Sequence, residues 1–309
     1  MPYLGEIAAL STALCWLGSS IAFAVASRAV GATATNQFRL YAALPLLCAL
    51  GLAFYGGVWP AGAPWPRLLL LALSGVVGLA IGDFALFHAF GTIGPRVSTV
   101  VMALWPACTV GLNALRGVVP GAGPLAGVAL TVFGVVLVLL KSREGAWRPG
   151  LDRRAWLLGL LGAFVGALGQ AGGVVLGDAG MAPGADLPDG VRPLDATIVR
   201  MLAGTASMQL IVTLQGRPFA LRRVFSERRA LAGALFGAVF GPVFGVWLSM
   251  VAIRHADAGV AAALMATTPV FMLPVSVWLY GARVGRLAVV GTVLAVAGVA
   301  LCFALRQTG

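Results

Sequence analysis

Long apolar runs alternate with short polar or Gly/Pro-rich breaks along the whole chain. A membrane-crossing helix needs ~20 mostly apolar residues. Ten segments fit that description: Leu4–Ser27, Ala34–Tyr55, Leu68–Phe90, Val97–Leu115, Pro124–Leu140, Trp156–Gly177, Thr197–Leu214, Leu231–Ile253, Ala258–Tyr280 and Arg286–Leu305. Gly and Pro punctuate several of the breaks, as in YGGVWPAGAPWP and MAPGADLPDGVRP. No stretch between segments is long enough for a further domain. The pattern predicts an all-α integral membrane protein with ten transmembrane helices.

Composition agrees. Of 309 residues, 60% are hydrophobic and only 10% charged, against roughly 25% charged in soluble domains. A soluble fold of this length could not hide so much apolar surface in one core. The net charge of +11 does not point to nucleic acid, because the basic residues sit in short connectors without a basic, aromatic-interleaved stripe. Cys15, Cys48, Cys108 and Cys302 all lie in apolar runs without CxxC spacing. Buried, inert thiols are expected rather than a disulfide framework or a metal site, and no cofactor is implied. The opening MPYLGEIAAL lacks a basic leader region, so the first helix is expected to stay.

The connectors are unequal in charge. Lys141, Arg143, Arg148, Arg153 and Arg154 follow the fifth segment, and Arg217, Arg222, Arg223, Arg228 and Arg229 follow the seventh. Between the sixth and seventh lie Asp178, Asp186, Asp189 and Asp195 with Arg192. The positive-inside rule places the basic connectors in the cytoplasm and the acidic one outside, which puts the N-terminus outside.

The chain also repeats itself. Shifted by 163 positions, Val76, Gly78 and Gly82 fall on Val239, Gly241 and Gly245; Ala89 and Val97 fall on Ala252 and Val260; and Met102, Ala103 and Pro106 fall on Met265, Ala266 and Pro269. A shift of 164 brings Gly127 and Gly134 onto Gly291 and Gly298. Five helices is an odd number, so two such halves in series enter the membrane from opposite sides. That is the inverted-repeat architecture of many secondary transporters, with the solute site near the midplane between halves. The halves are expected at residues 1–145 and 146–309. Pro106 and Pro269 are repeat mates, so a matched helix break is expected there. Small residues four apart, at Ser74, Gly78 and Gly82 and at Gly237, Gly241 and Gly245, make flat faces for close helix contact.

Polar residues inside membrane segments are costly and commonly mark a pathway. The candidates for one are Arg39, Asp83, Trp105, Pro106, Arg200, Trp247, Met265 and Pro269, with Gln170, Gln209 and Asn113 as weaker ones. Asp83 and His88 lie about 140° apart around a helix and cannot act as a local pair. Arg39 is the complementary charge for Asp83, whose candidate roles are to neutralise that arginine, to cap a helix break at Gly82, to carry a proton, or to order a substrate-binding arginine. His88 reads as structural. Arg39 and Arg200 lie one or two turns inside their helices, where such side chains commonly snorkel to headgroups and otherwise can hold an anion such as a carboxylate.

GEIAALSTALCW, IGDFALFHAFGTIGPRVSTVVMALWP, VFGPVFGVWLSMVAIRHADAGVAAALMATTPVF and VVGTVLAVAGVAL resemble the EamA-type drug/metabolite transporter superfamily, and the resemblance spans the chain as two EamA-like repeats. It implies a ten-helix bundle with a central cavity, transport of small metabolites such as amino acids, and both termini in the cytoplasm, opposite to the charge count. Family members often carry a glutamate in the turns after the fourth and ninth helices; here LRGVVPGAG and LYGARVGR carry none. The expectation is therefore a multi-pass transporter or exporter of a small organic solute in the cell membrane. A proton gradient is a candidate for its coupling, and a monomer is compatible with it. A membrane scaffold or sensor is the alternative. An embedded enzyme would need HExxH, GxSxG or a similar cluster, and no ATP-binding GxxxxGK[ST] is present.

Overall fold

The computed structural model describes residues 3–115, 121–140, 150–256, 258–280 and 284–304. Lys141, Arg143 and Arg148 of the first basic connector, and parts of both glutamate-free turns, lie outside them. Over their described residues the apolar segments read from the sequence are helical, apart from short turns in two of them, and the only β feature among the described residues is an isolated bridge, Gly184 to Leu187. Lipid offers backbone amides no hydrogen-bond partner, so a chain this apolar must satisfy them within helices.

The helices run α1 (Leu4–Val30), α2 (Ala32–Tyr55), α3 (Trp65–Gly75), α4 (Asp83–Thr92), α5 (Gly94–Met102), α6 (Trp105–Leu115) and α7 (Ala122–Leu140), then α8 (Arg153–Met181), α9 (Pro193–Leu214), α10 (Arg228–Ala238), α11 (Trp247–His255), α12 (Ala258–Met265), α13 (Thr268–Tyr280) and α14 (Arg286–Ala304). Several join end to end. Among the described residues, seven continuous stretches are long and apolar enough to cross a membrane, and Leu125–Leu139, Thr268–Leu279 and Arg286–Leu301 are shorter apolar helices. Leu52, Phe133, Leu161, Leu210 and Trp278 are among the large apolar side chains left on the outside, as a lipid-facing exterior allows. Gly31, at φ +92°, reverses the chain between α1 and α2 in one residue, a conformation L side chains rarely adopt.

The internal repeat is visible in the irregularities. A widened π-type turn spans Val76–Gly82 between α3 and α4, and another spans Val239–Val246 between α10 and α11. Turns at 103–104 and 266–267 break α5 from α6 and α12 from α13. Both pairs obey the 163-residue shift, and the second lies just ahead of Pro106 and Pro269, where a matched break was expected.

The two kinds of connector sit at opposite ends of the bundle. Arg67 at the start of α3 pairs with Asp186 at 2.5 Å and also donates to the Ala182 carbonyl. Arg254 near the end of α11 donates to the carbonyls of Met181 and Asp189. Arg192 lies over the Tyr55 ring, 4.2 Å from its centre. Loop 182–192 is thus strapped over one end. At the other, Gln37 on α2 donates to Gln209 Oε1 and to the Pro218 carbonyl, and accepts from the Leu221 amide, each at 2.8 Å. That polar knot holds the segment leading to Arg222, Arg223, Arg228 and Arg229. Gln209, a weaker pathway candidate, is used here.

The small-residue faces are contact surfaces. A Cβ on Gly134 would fall 2.4 Å from the Ala295 amide, and one on Gly298 2.4 Å from that of Thr131, so α7 and α14 touch backbone to backbone. Gly169 meets Gly82 in the same way, at 2.6 Å. Cys15, Cys48 and Cys108 are free thiols, half-buried rather than fully buried, because their helices also face outward.

Gly298→Val should lower the thermal unfolding temperature of the detergent-purified protein, by overpacking worth about 1–3 kcal/mol; an unchanged melt would mean that α7 and α14 do not meet there. The loop strap should respond to pH. Arg67's hydrogen bond holds the Asp186 carboxyl below its usual range. A depressed carboxylate contributes above its unfolded value of about 3.9 and loses that contribution as pH falls through the folded value. Amide protection of loop 182–192 in hydrogen exchange should persist from pH 7 to 5 and fall only below about pH 4, whereas Arg67→Ala should remove it at every pH.

Candidate functional site

Where α1, α4, α8 and α11 converge, the bundle forms a half-open cavity. Space for the centres of water-sized molecules amounts to about 100 Å³, against the ~10–15 Å³ one water needs. Arg39, Asp83, Trp105, Arg200, Met265 and Pro269 all line it, and Gln170 joins them. Pro106 and Trp247 are placed elsewhere: Pro106 is buried at the start of α6, and Trp247 packs on the Phe54 ring at 5.9 Å. His88 points outward from α4 and Asn113 is half-buried on α6.

Arg39 is only 3% exposed, so it does not snorkel to headgroups. Its Nη2 donates to Asp83 Oδ2 at 2.5 Å and to the Leu79 carbonyl at 2.9 Å, and its Nε donates to Asn36 Oδ1 at 2.8 Å. Asn36 in turn donates to the Ala80 carbonyl at 3.4 Å. Both carbonyls belong to the π-type turn, whose widened helix presents them to side chains of α2. The guanidinium also lies 4.9 Å from the centre of the Phe87 ring and 5.9 Å from that of Phe23, two rings that contact each other at 4.7 Å. The irregularity of α3–α4, the asparagine and the aromatics together solvate one buried cation.

Arg200 is held differently. It is 2% exposed. Cβ atoms built on Gly173 and Gly177 of α8 would stand 3.5 and 2.9 Å from its terminal nitrogens, and one on Gly78 would stand 3.8 Å away. Glycines on two helices therefore leave a slot for the guanidinium. Its Nη1 meets Met250 Sδ at 2.9 Å, and its Nε has no hydrogen-bond partner. Sulfur is a weak acceptor.

The rest of the lining is apolar and aromatic, including Trp16, Phe90 and Trp105, with hydroxyls between. Ser19, Thr99, Ser249 and Thr268 each donate to the carbonyl three residues earlier. No nucleophile–base pair occurs among these groups; the arrangement suits binding rather than covalent chemistry. The residues the sequence did not single out are Asn36 and the aromatics of α1 and α4. Asn36 stands three residues before Arg39, so helical spacing alone could have flagged it.

Asp83→Ala should destabilise the protein by about 3 kcal/mol, the low end for breaking a buried pair because Asp83 is partly exposed. Arg39→Met with Asp83→Leu should recover most of that loss. Thermal unfolding in detergent checks both, and a double variant no better than the single one would deny the pair its role.

The EamA-like transporter family matches residues 3–140 and again residues 157–304. A solved structure described as "Crystal structure of protein" is 20% identical, covers 98% of each chain and superposes with a TM-score of 0.68; at that identity the likeness is one of fold. No curated protein matches the chain. The chain belongs to the EamA-like transporter family and so to the drug/metabolite transporters: a multi-pass membrane protein built of two EamA-like repeats.

Proposed function

We propose that this EamA-family chain is a secondary transporter that exports a small organic metabolite, an amino acid or similar compound, across the cytoplasmic membrane by alternating access. In this reading residues 1–145 and 146–309 are five-helix halves inserted in opposite senses, ten transmembrane helices in all. The pathway runs past Arg39, Asp83, Trp105, Arg200, Met265 and Pro269, with Pro106 and Trp247 supporting the moving helices from outside the cavity. The observation that carries it is a charge-bearing cavity lined by both halves and flanked by helix breaks that the repeat relates. Broken helices and a midplane site between halves are what rocking transport needs.

Alternating access also needs two ends that open in turn. The strap of loop 182–192 and the Gln37 knot are separate polar fastenings at opposite ends. Each can be released by breaking a few hydrogen bonds without disturbing the apolar packing of the other. Asp83 is the proton carrier in this scheme: protonation would free Arg39 and change the electrostatics of the cavity.

Metabolite profiling of cells with and without the protein, followed by efflux from vesicles, should reveal at least one solute whose flux depends on the protein and on a pH gradient. Asp83→Asn should leave flux that no longer follows the gradient. Unchanged pH dependence would remove Asp83 as the carrier, and no protein-dependent flux for any solute would remove the transport reading. A reporter fused at Gly309 is expected on the outside, from the basic connectors; cytoplasmic activity would reverse that orientation.

A further inference from the structure

The charged groups of the cavity do not balance. Among the described residues Asp83 is the one carboxylate in its lining, and Arg39 occupies it at 2.5 Å. Arg200 makes no ion pair with any described carboxylate; Asp83 acts on it only through space, from beyond salt-bridge distance. Its described hydrogen bonding ends at a thioether, and its Nε has no partner at all. A guanidinium carries five N–H donors and stays charged in proteins. A buried cation whose nearest carboxylate is already hydrogen-bonded to another arginine costs free energy, which an anionic group on a solute can offset. The glycine slot of Gly78, Gly173 and Gly177 seats it without supplying a counter-charge.

We infer that Arg200 anchors the carboxylate of the transported solute, and that the cavity selects organic monoanions with an apolar or aromatic body. This rests on the transport reading and narrows its substrate class to carboxylates without an ammonium group, in place of the zwitterionic amino acids. Arg39, Arg200 and Asp83 leave one net positive charge, which one carboxylate neutralises. A planar carboxylate can take two of Arg200's N–H groups side by side. The body of the solute then lies against Trp16, Phe23, Phe87 and Trp105, which surround the same space. An ammonium group finds only Asp83 there, whose charge Arg39 already offsets through Oδ2. The hydroxyls of Ser19, Ser249 and Thr268 accept from neutral donors on the solute, such as hydroxyl or amide groups.

The test is equilibrium binding to the full-length protein in detergent, followed by quenching of tryptophan fluorescence. The probes are 3-phenylpropionate, its amide, 3-phenylpropylamine, phenylalanine and chloride. The carboxylate should bind about 10–100-fold more tightly than the amide, the difference expected for a charge-assisted hydrogen bond. It should also outcompete the amine and phenylalanine. Arg200→Gln should remove the preference for carboxylate over amide, and Arg200→Lys should keep part of it. Should Arg200→Gln fail to fold, the wild-type series decides alone. Equal binding of carboxylate and amide, tighter binding of the amine or of phenylalanine, binding of chloride alone, or no binding of 3-phenylpropionate each overturns the inference. Protein-dependent flux of an amine or zwitterion in vesicles would overturn it while leaving the transport reading intact.

Discussion

The interior of this bundle is organised around a cost. A charged side chain at the centre of a membrane helix is unfavourable by ~2.5–3.5 kcal/mol on insertion scales, and two arginines and an aspartate share one cavity here. Arg39 meets that cost with a carboxylate, an asparagine, a backbone carbonyl and two aromatic rings. Arg200 meets it with a glycine-lined slot and a methionine sulfur. Several local oddities follow from those needs. The π-type turn of α3–α4 supplies a carbonyl to Arg39, and the glycines of α8 keep clear the volume Arg200 fills.

The same glycines do two jobs. Toward α3 and α4, Gly162, Gly166 and Gly169 bring backbones together, as Gly82 and Gly169 show at a separation no side chain could enter. One turn further on, Gly173 and Gly177 face Arg200 instead. Close approach and a cation pocket thus lie on one continuous helix face. In lipid, where packing rather than the hydrophobic effect draws helices together, a face made for contact also leaves room for a charged group wherever the neighbouring helix brings one.

Much of this was legible in the chain. The apolar runs located the helices to within a few residues, because a membrane helix has to be long, apolar and continuous. The shift of 163 foresaw the matched breaks ahead of Pro106 and Pro269. The pairing of Arg39 with Asp83 followed from complementary charges in a medium that tolerates neither alone. The angle between Asp83 and His88 foretold that only one of them would face inward. Less legible was the fate of the arginines: their depth fitted snorkelling as well as burial, and only the neighbouring helices determine whether a guanidinium can reach the headgroups. Gln209 and Gln170 are both polar residues in apolar helices, yet one ties down a connector and the other lines the cavity.

The sequence by itself determined the class of the molecule: a helical, multi-pass membrane protein with a duplicated plan and a small set of intramembrane charges. Those properties depend on composition and on spacing along one helix, which are local. The tertiary structure alone decided that Arg200 is buried without a salt bridge, that Trp105 faces the cavity while Trp247 packs on Phe54, and that the glycines of α8 cradle a cation. Each of these depends on which face of one helix meets which face of another. That is settled by backbone-to-backbone contact between segments more than a hundred residues apart in the chain, as between Gly75 and Arg200.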